Sequence, residues 1–241
     1  MVESVDTPDL KSVGHCLWEF KSPCSYWYFI TMTQERTSTL ERLDPFHLPI
    51  FLYYDAITDE QCDILREFCD SIDTWGTCID GNDNAMHLSG DKNILSRMPE
   101  MKFHFEALMQ DISTQVMKQV SEKFEIRTSW VTKTEKGQVS SMHNHKNFYM
   151  AGVLYLQDDN YLMVKNPYFD LSHFMFSITE QSAYTCNTTL LHAPKNSFIL
   201  MPSYLFHQVP SWEKDDIVRY SIAMNFHPVG TYGVDTSLLT V

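Results

Sequence analysis

The chain has 241 residues, of which 44% are hydrophobic and 13% aromatic; this is enough for one sizeable core and excludes global disorder. Eighteen basic against 31 acidic side chains give a net charge of −13, which disfavours a nucleic-acid partner or an anionic membrane surface. Six cysteines without a CxxC pair, and no run of 18 apolar residues, lead us to expect a soluble cytoplasmic protein with reduced thiols.

Residues 1–45 show no clear periodicity and read as an irregular N-terminal extension. Met32 precedes a polar stretch, TQERTSTLERLDP, that resembles an ordinary N-terminus, so residues 1–31 read either as a poorly packed extension or as an over-long start. From residue 46 to 241 a single domain is expected. Leu48–Tyr54 is a short apolar run with aromatics and predicts a strand. Thr58-Asp59-Glu60-Gln61 has capping-box form, and Cys62, Leu65, Phe68, Cys69 and Ile72 follow at helical spacing, so a helix is expected over 59–72. Phe105, Leu108, Met109, Ile112, Val116 and Val120 recur at threes and fours, predicting a second helix over 100–123.

After residue 125 the period changes. Thr128–Thr134, Phe148–Leu156, Tyr161–Lys165, Phe174–Ile178, Ser197–Met201 and Val218–Phe226 are short β-branched or aromatic runs separated by turn residues. With Leu48–Tyr54 they predict a mostly β protein with packed helices, a barrel or two-sheet jelly roll behind N-terminal helices. Asp158-Asp159-Asn160 reads as a hairpin turn, because no calcium-loop spacing follows it.

The chemistry-bearing stretch is Met142-His143-Asn144-His145, just before FYMAGVLYL. In extended backbone His143 and His145 project to the same side, as two ligands for one metal must. Ten histidines in 241 residues give about 0.4 such pairs by chance, so the pair alone is weak. Its companions strengthen it. His207 follows a buried run and a Pro-Ser turn, and Arg219 stands inside the apolar IVRYSIAMNF, where a charge is costly unless paired. Its partner could be Asp216, Asp59 or an anionic ligand, since a guanidinium suits a carboxylate. Tyr155 and Ser221 are polar residues in apolar strands, placed to hydrogen-bond the same carboxylate. His87, His104, His192 and His227 read as structural or solvated.

Taken together, HNHKNFYMAGVLYL, FILMPSYLFHQVP and VRYSIAMNF resemble the 2-oxoglutarate/Fe(II)-dependent oxygenase superfamily, nearest its prolyl-hydroxylase-like branch, over about residues 125–228. The resemblance implies a double-stranded β-helix holding Fe(II) at His143, His145 and His207. It implies 2-oxoglutarate bound by Arg219 with Ser221 and Tyr155, and decarboxylation to succinate with O2 coupled to hydroxylation of a small-molecule or peptide substrate. One departure is His145, where most relatives have a carboxylate. Either a third neutral imidazole binds the metal, leaving the site one charge more positive, or His145 stands behind the ligands. A second is Asn196, where relatives often have Gly; Asn also tolerates a left-handed turn. Two other readings stand beside it: a cupin-like three-histidine metalloenzyme that does not use 2-oxoglutarate, and a non-catalytic β-domain.

Overall fold

The computed structural model describes residues 16–19, 29–32, 48–77, 84–119, 123–169, 177, 180 and 185–241. The chain forms two units, Met1–His47 and Leu48–Val241. Within the first, β1 (Cys16–Glu19) and β2 (Phe29–Met32) pair antiparallel, with Cys16 opposite Met32. The rest of what was expected for residues 1–45 lies outside the described residues.

In the second unit β3 (Phe51–Tyr53) leads to α1 (Asp59–Asp70). The capping box forms as its residues dictate: the Gln61 amide donates to Thr58 Oγ1 (3.2 Å) and the Thr58 amide to Gln61 Oε1 (2.9 Å). Cys62, Leu65 and Cys69 are its buried stripe. Next come β4 (Trp75–Thr77), β5 (His87–Ser89) and α2 (Pro99–Asp111), with Pro99 in its first turn. The second helix ends earlier than its apolar pattern suggests. It passes into one π-helical turn, Ile112–Val116, and Lys118 takes a positive φ of 54°. The wider turn rotates the helix face, so Val116 is left exposed although Phe105, Met109 and Ile112 are buried.

The remaining strands are β6 (Lys123–Thr134), β7 (Met150–Tyr155), β8 (Asn160–Lys165), β9 (Thr188–Ala193), β10 (Phe198–Pro202), β11 (His207–Gln208) and β12 (Arg219–Val229). A terminal pair, β13 (Thr231–Tyr232) and β14 (Leu239–Thr240), follows. The major sheet has the order β3-β10-β7-β12-β6-β5-β4 and the minor sheet β11-β8-β9. This is the expected jelly roll. β4, β5, β9 and β11 had not been anticipated, and the run Phe174–Ile178 lies outside the described residues. The Asp158–Asn160 turn joins β7 to β8, with Asp159 at φ +62°, and Asn196 takes φ +64° before β10.

β7 is buried on both faces. Met150 and Leu154 point to a core shared with Leu65, Ile94, Leu95, Phe105 and Met109, while Ala151, Val153 and Tyr155 point to a second core with Leu162, Val164, Ile199 and Met201. The major sheet thus lies between a helical layer and the minor sheet. Gly152, at the centre of β7, is there because a Cβ would lie 2.5 Å from the Phe198 ring and 3.2 Å from Phe226. Gly152→Ala should therefore destabilise the fold by about 1–3 kcal/mol through overpacking. An unchanged urea midpoint would show that the ring moves away freely. No helix among the described residues is long and apolar enough to cross a membrane.

Candidate metal centre

The HxH stretch reaches its place by backbone pairing. His143 and His207 face each other across an isolated antiparallel bridge: the His143 amide donates to His207 O (2.9 Å) and the His207 amide to His143 O (2.8 Å). Two residues on, the His145 amide donates to Ser203 O (2.8 Å). The turn after β10 and the start of β11 are thereby laced to the segment before β7. The three rings converge, with centroids 4.4 Å (His143–His207), 5.1 Å (His145–His207) and 5.3 Å (His143–His145) apart. One nitrogen from each lies within 4.8 Å of the others.

Each imidazole is also oriented from behind. Nδ1 of His143 bonds Ser141 O (2.7 Å), Nδ1 of His207 bonds Leu205 O (2.9 Å) and Nδ1 of His145 bonds Asn225 Oδ1 (2.5 Å). A carbonyl oxygen only accepts, so Nδ1 carries the proton and Nε2 keeps its lone pair for a ligand position. Burial favours the neutral rings: it pushes His207 down to about 3 and lowers His145, with nearby His143 acting in the same direction. The Trp130 ring lies 5.6 Å from that of His145. A cleft of about 450 Å3 borders His145 and is lined by Met117, Lys146, Phe148, Tyr149 and Tyr204 among others.

The second half of the site is a row on the inner face of β12. Arg219, Ser221, Ala223 and Asn225 alternate with Tyr220, Ile222, Met224 and Phe226, whose side chains enter the helical core. Arg219 is buried at 4% exposure, donates to Thr134 Oγ1 (3.1 Å) and stands 5.2 Å over the Trp212 ring. No carboxylate pairs with it among the described residues. Asp59 instead pairs with Lys195 (2.9 Å). Burial pushes Arg219 down to about 10. Ser221 lies opposite Tyr155 across the β12–β7 ladder and shares a 2.5 Å hydrogen bond with Thr132. The Tyr155 hydroxyl is fully buried without a hydrogen-bond partner, and burial raises its pKa while Arg219 opposes the rise. A buried cation and an orphaned buried hydroxyl are the two groups that a small carboxylate would satisfy.

Every histidine, the arginine, the serine and the tyrosine singled out from the sequence thus fall into this interior. Asn225, Thr128, Trp130, Thr132 and Thr134 also fall there and had not been singled out. The alternation R-Y-S-I-A-M-N-F, read with period two through to its seventh residue, carries the signal for Asn225. Of the other histidines, His104 bonds Ala56 O (2.7 Å), His227 bonds Pro228 O (2.8 Å) and His192 packs on Tyr161. Their roles are structural.

A family model for 2OG-Fe(II) oxygenases matches residues 128–225, the span that carries all six site residues. Over that span the sequence matches the 2OG-Fe(II) oxygenase family. Solved structures share the fold. HygX from Streptomyces hygroscopicus, with nickel, 2-oxoglutarate and hygromycin B bound, is 11% identical at a TM-score of 0.54, over 75% of this chain and 83% of its own. A Pseudomonas putida prolyl-4-hydroxylase is 12% identical at 0.52, over 76% and 94%. The carbocyclase SnoK from nogalamycin biosynthesis is 10% identical at 0.57, over 79% and 84%. No curated protein matches the sequence. The donor set fits the Fe(II) and 2-oxoglutarate of that family: three convergent imidazole nitrogens suit iron, and a buried guanidinium with an orphaned hydroxyl suits a dicarboxylate.

Proposed function

We propose that this oxygenase hydroxylates a C–H bond of a small-molecule or peptide substrate, with 2-oxoglutarate and O2 consumed and succinate and CO2 released. The observation that carries the co-substrate assignment is the buried guanidinium of Arg219, which has no carboxylate partner among the described residues, beside the orphaned Tyr155 hydroxyl. His143, His145 and His207 hold the iron, each with its proton kept on Nδ1. Arg219 and Tyr155 bind the distal carboxylate of 2-oxoglutarate, and Ser221, tied to Thr132, supports that end of the pocket. When bound, Fe(II) with 2-oxoglutarate supplies the O2 activation and oxidation that no side chain here can perform. The protein's part is to orient these groups and to keep water from them, which the buried walls of Ala151, Val153, Ile199 and Met201 favour.

Lys146 and the aromatic side chains of the cleft beside His145 are where we place the substrate; the cleft volume suits a small molecule or one or two peptide side chains. The free thiols Cys62, Cys69 and Cys186 are compatible with the reducing, cytoplasmic setting expected from the sequence. A three-histidine enzyme without 2-oxoglutarate would have no use for a buried Arg219, so that reading is set aside. The test is anaerobic addition of 2-oxoglutarate to the Fe(II)-loaded protein. A visible charge-transfer band is expected from chelation of the metal by the keto acid. Its absence at saturating 2-oxoglutarate would overturn the assignment.

A further inference from the structure

Among the groups behind the three histidines, Asn225 stands apart from the other two acceptors. It is 4% exposed, and both ends of its amide are engaged. Oδ1 accepts from Nδ1 of His145 at 2.5 Å, and Nδ2 donates to Thr128 Oγ1 at 2.9 Å. The other two histidines of the cluster lean on main-chain carbonyls within two residues of themselves. His145 leans on a side chain 80 positions away, on a different strand.

The fold is adjusted to bring this about. Phe124 and Ile126 of β6 point into the helical core, and strict alternation would send Thr128 the same way. The β12–β6 ladder instead slips between Asn225 and Phe226: Asn225 pairs with Thr128 while Phe226 pairs with Ile126, leaving Arg127 as an extra residue. That bulge reverses the alternation of β6, so that from Thr128 onward the even-numbered residues face the site. It places the Thr128 hydroxyl where it meets the Asn225 amide.

We propose that Asn225 is a positioning residue for the metal centre: anchored by Thr128, it holds the His145 proton on Nδ1 and so keeps Nε2 free to bind iron. An amide oxygen does this without adding charge, whereas a carboxylate at that point would offset one positive charge of the ion. Replacing the acceptor with an apolar group lets the ring take the other tautomer, with the proton on Nε2 and no lone pair facing the metal. His145 then drops out of the ligand set. The inference rests on the metal centre proposed above.

The test compares the wild type with Asn225→Leu, Asn225→Asp and Thr128→Val. In the metal-free protein, 15N–1H long-range spectra of the histidine rings report the tautomer directly. His145 should be the Nδ1–H form in the wild type and Asn225→Asp, and shift towards Nε2–H in Asn225→Leu. Quenching of tryptophan fluorescence by Co(II), with Trp130 near His145, should then show about 10–100-fold weaker binding in Asn225→Leu, near-native binding in Asn225→Asp and a smaller loss in Thr128→Val. The tautomer is read only on variants whose metal-free melting is cooperative, and Asn225→Asp covers the case in which Leu does not fold. Wild-type binding with equal affinity in Asn225→Leu, or an unchanged tautomer, would overturn the inference alone. Loss of binding in Asn225→Asp equal to that in Leu would also overturn it. A wild type that binds no metal would overturn the centre, and the inference with it.

Discussion

His207→Ala is expected to abolish Fe(II)-dependent conversion of 2-oxoglutarate to succinate, by at least about three orders of magnitude, or ~4 kcal/mol of barrier. The size follows from position. His207 is 3% exposed and pairs through its backbone with His143, and its Nδ1 is locked on Leu205 O, so no neighbouring side chain can take over its nitrogen. Its ring is also held neutral by burial, which means the wild-type site has no proton to displace from His207 on binding metal near neutrality. The folding cost of the variant should be modest, since the bridge to His143 is made by main-chain atoms that alanine retains. Succinate formation and bound iron should fall together. The same measurement on His145→Ala decides whether His145 is a ligand: full stoichiometric Fe(II) affinity in that variant would exclude it.

Arg219→Met is the second large effect, and it should move two quantities in opposite directions. Removing the guanidinium takes away charge-assisted hydrogen bonds to a buried carboxylate, each worth about 1.5–3 kcal/mol, so 2-oxoglutarate should bind about 10²–10³-fold more weakly. In the ligand-free protein, by contrast, Arg219 is a buried cation with a hydroxyl and a tryptophan ring for company, and its pKa is pushed down to about 10. An apolar side chain of similar length removes that desolvation cost, so the metal-free variant should melt at a temperature equal to or above the wild type. Loss of both stability and 2-oxoglutarate affinity would mark Arg219 as a structural residue. Retention of 2-oxoglutarate affinity would place the co-substrate elsewhere.

Much of the architecture was legible because hydrophobic alternation reports which way a strand faces. The strands that bury both faces, β7 and β10, and the strongly patterned β12 were readable to within a few residues. Those that escaped notice are short, such as β4, β5 and β11, or half exposed, such as β9, whose residues Leu190 and His192 face outward. Short strands owe their existence to a neighbour's hydrogen bonds, and that neighbour is distant in sequence: β11 is held by β8 and by His143. The second helix was read too long for a related reason. Its apolar spacing continues, but the π-helical turn at Ile112–Val116 rotates the face away from the core, and spacing alone does not record a change of pitch.

The candidate donors, His143, His145, His207 and Arg219, were legible in the sequence, because only a few side-chain types bind a metal or a carboxylate and these stand in or beside apolar runs where they are costly otherwise. Which nitrogen His145 offers was decided by tertiary structure alone, through the acceptor on Asn225, whereas His143 and His207 find theirs two residues away on Ser141 and Leu205. Tertiary structure also decided the placing of Arg219 against Thr134 and the Trp212 ring, while Asp59 pairs with Lys195. A residue's chemistry is local to it, but the direction of a lone pair or a proton is settled by whatever the fold brings up behind it.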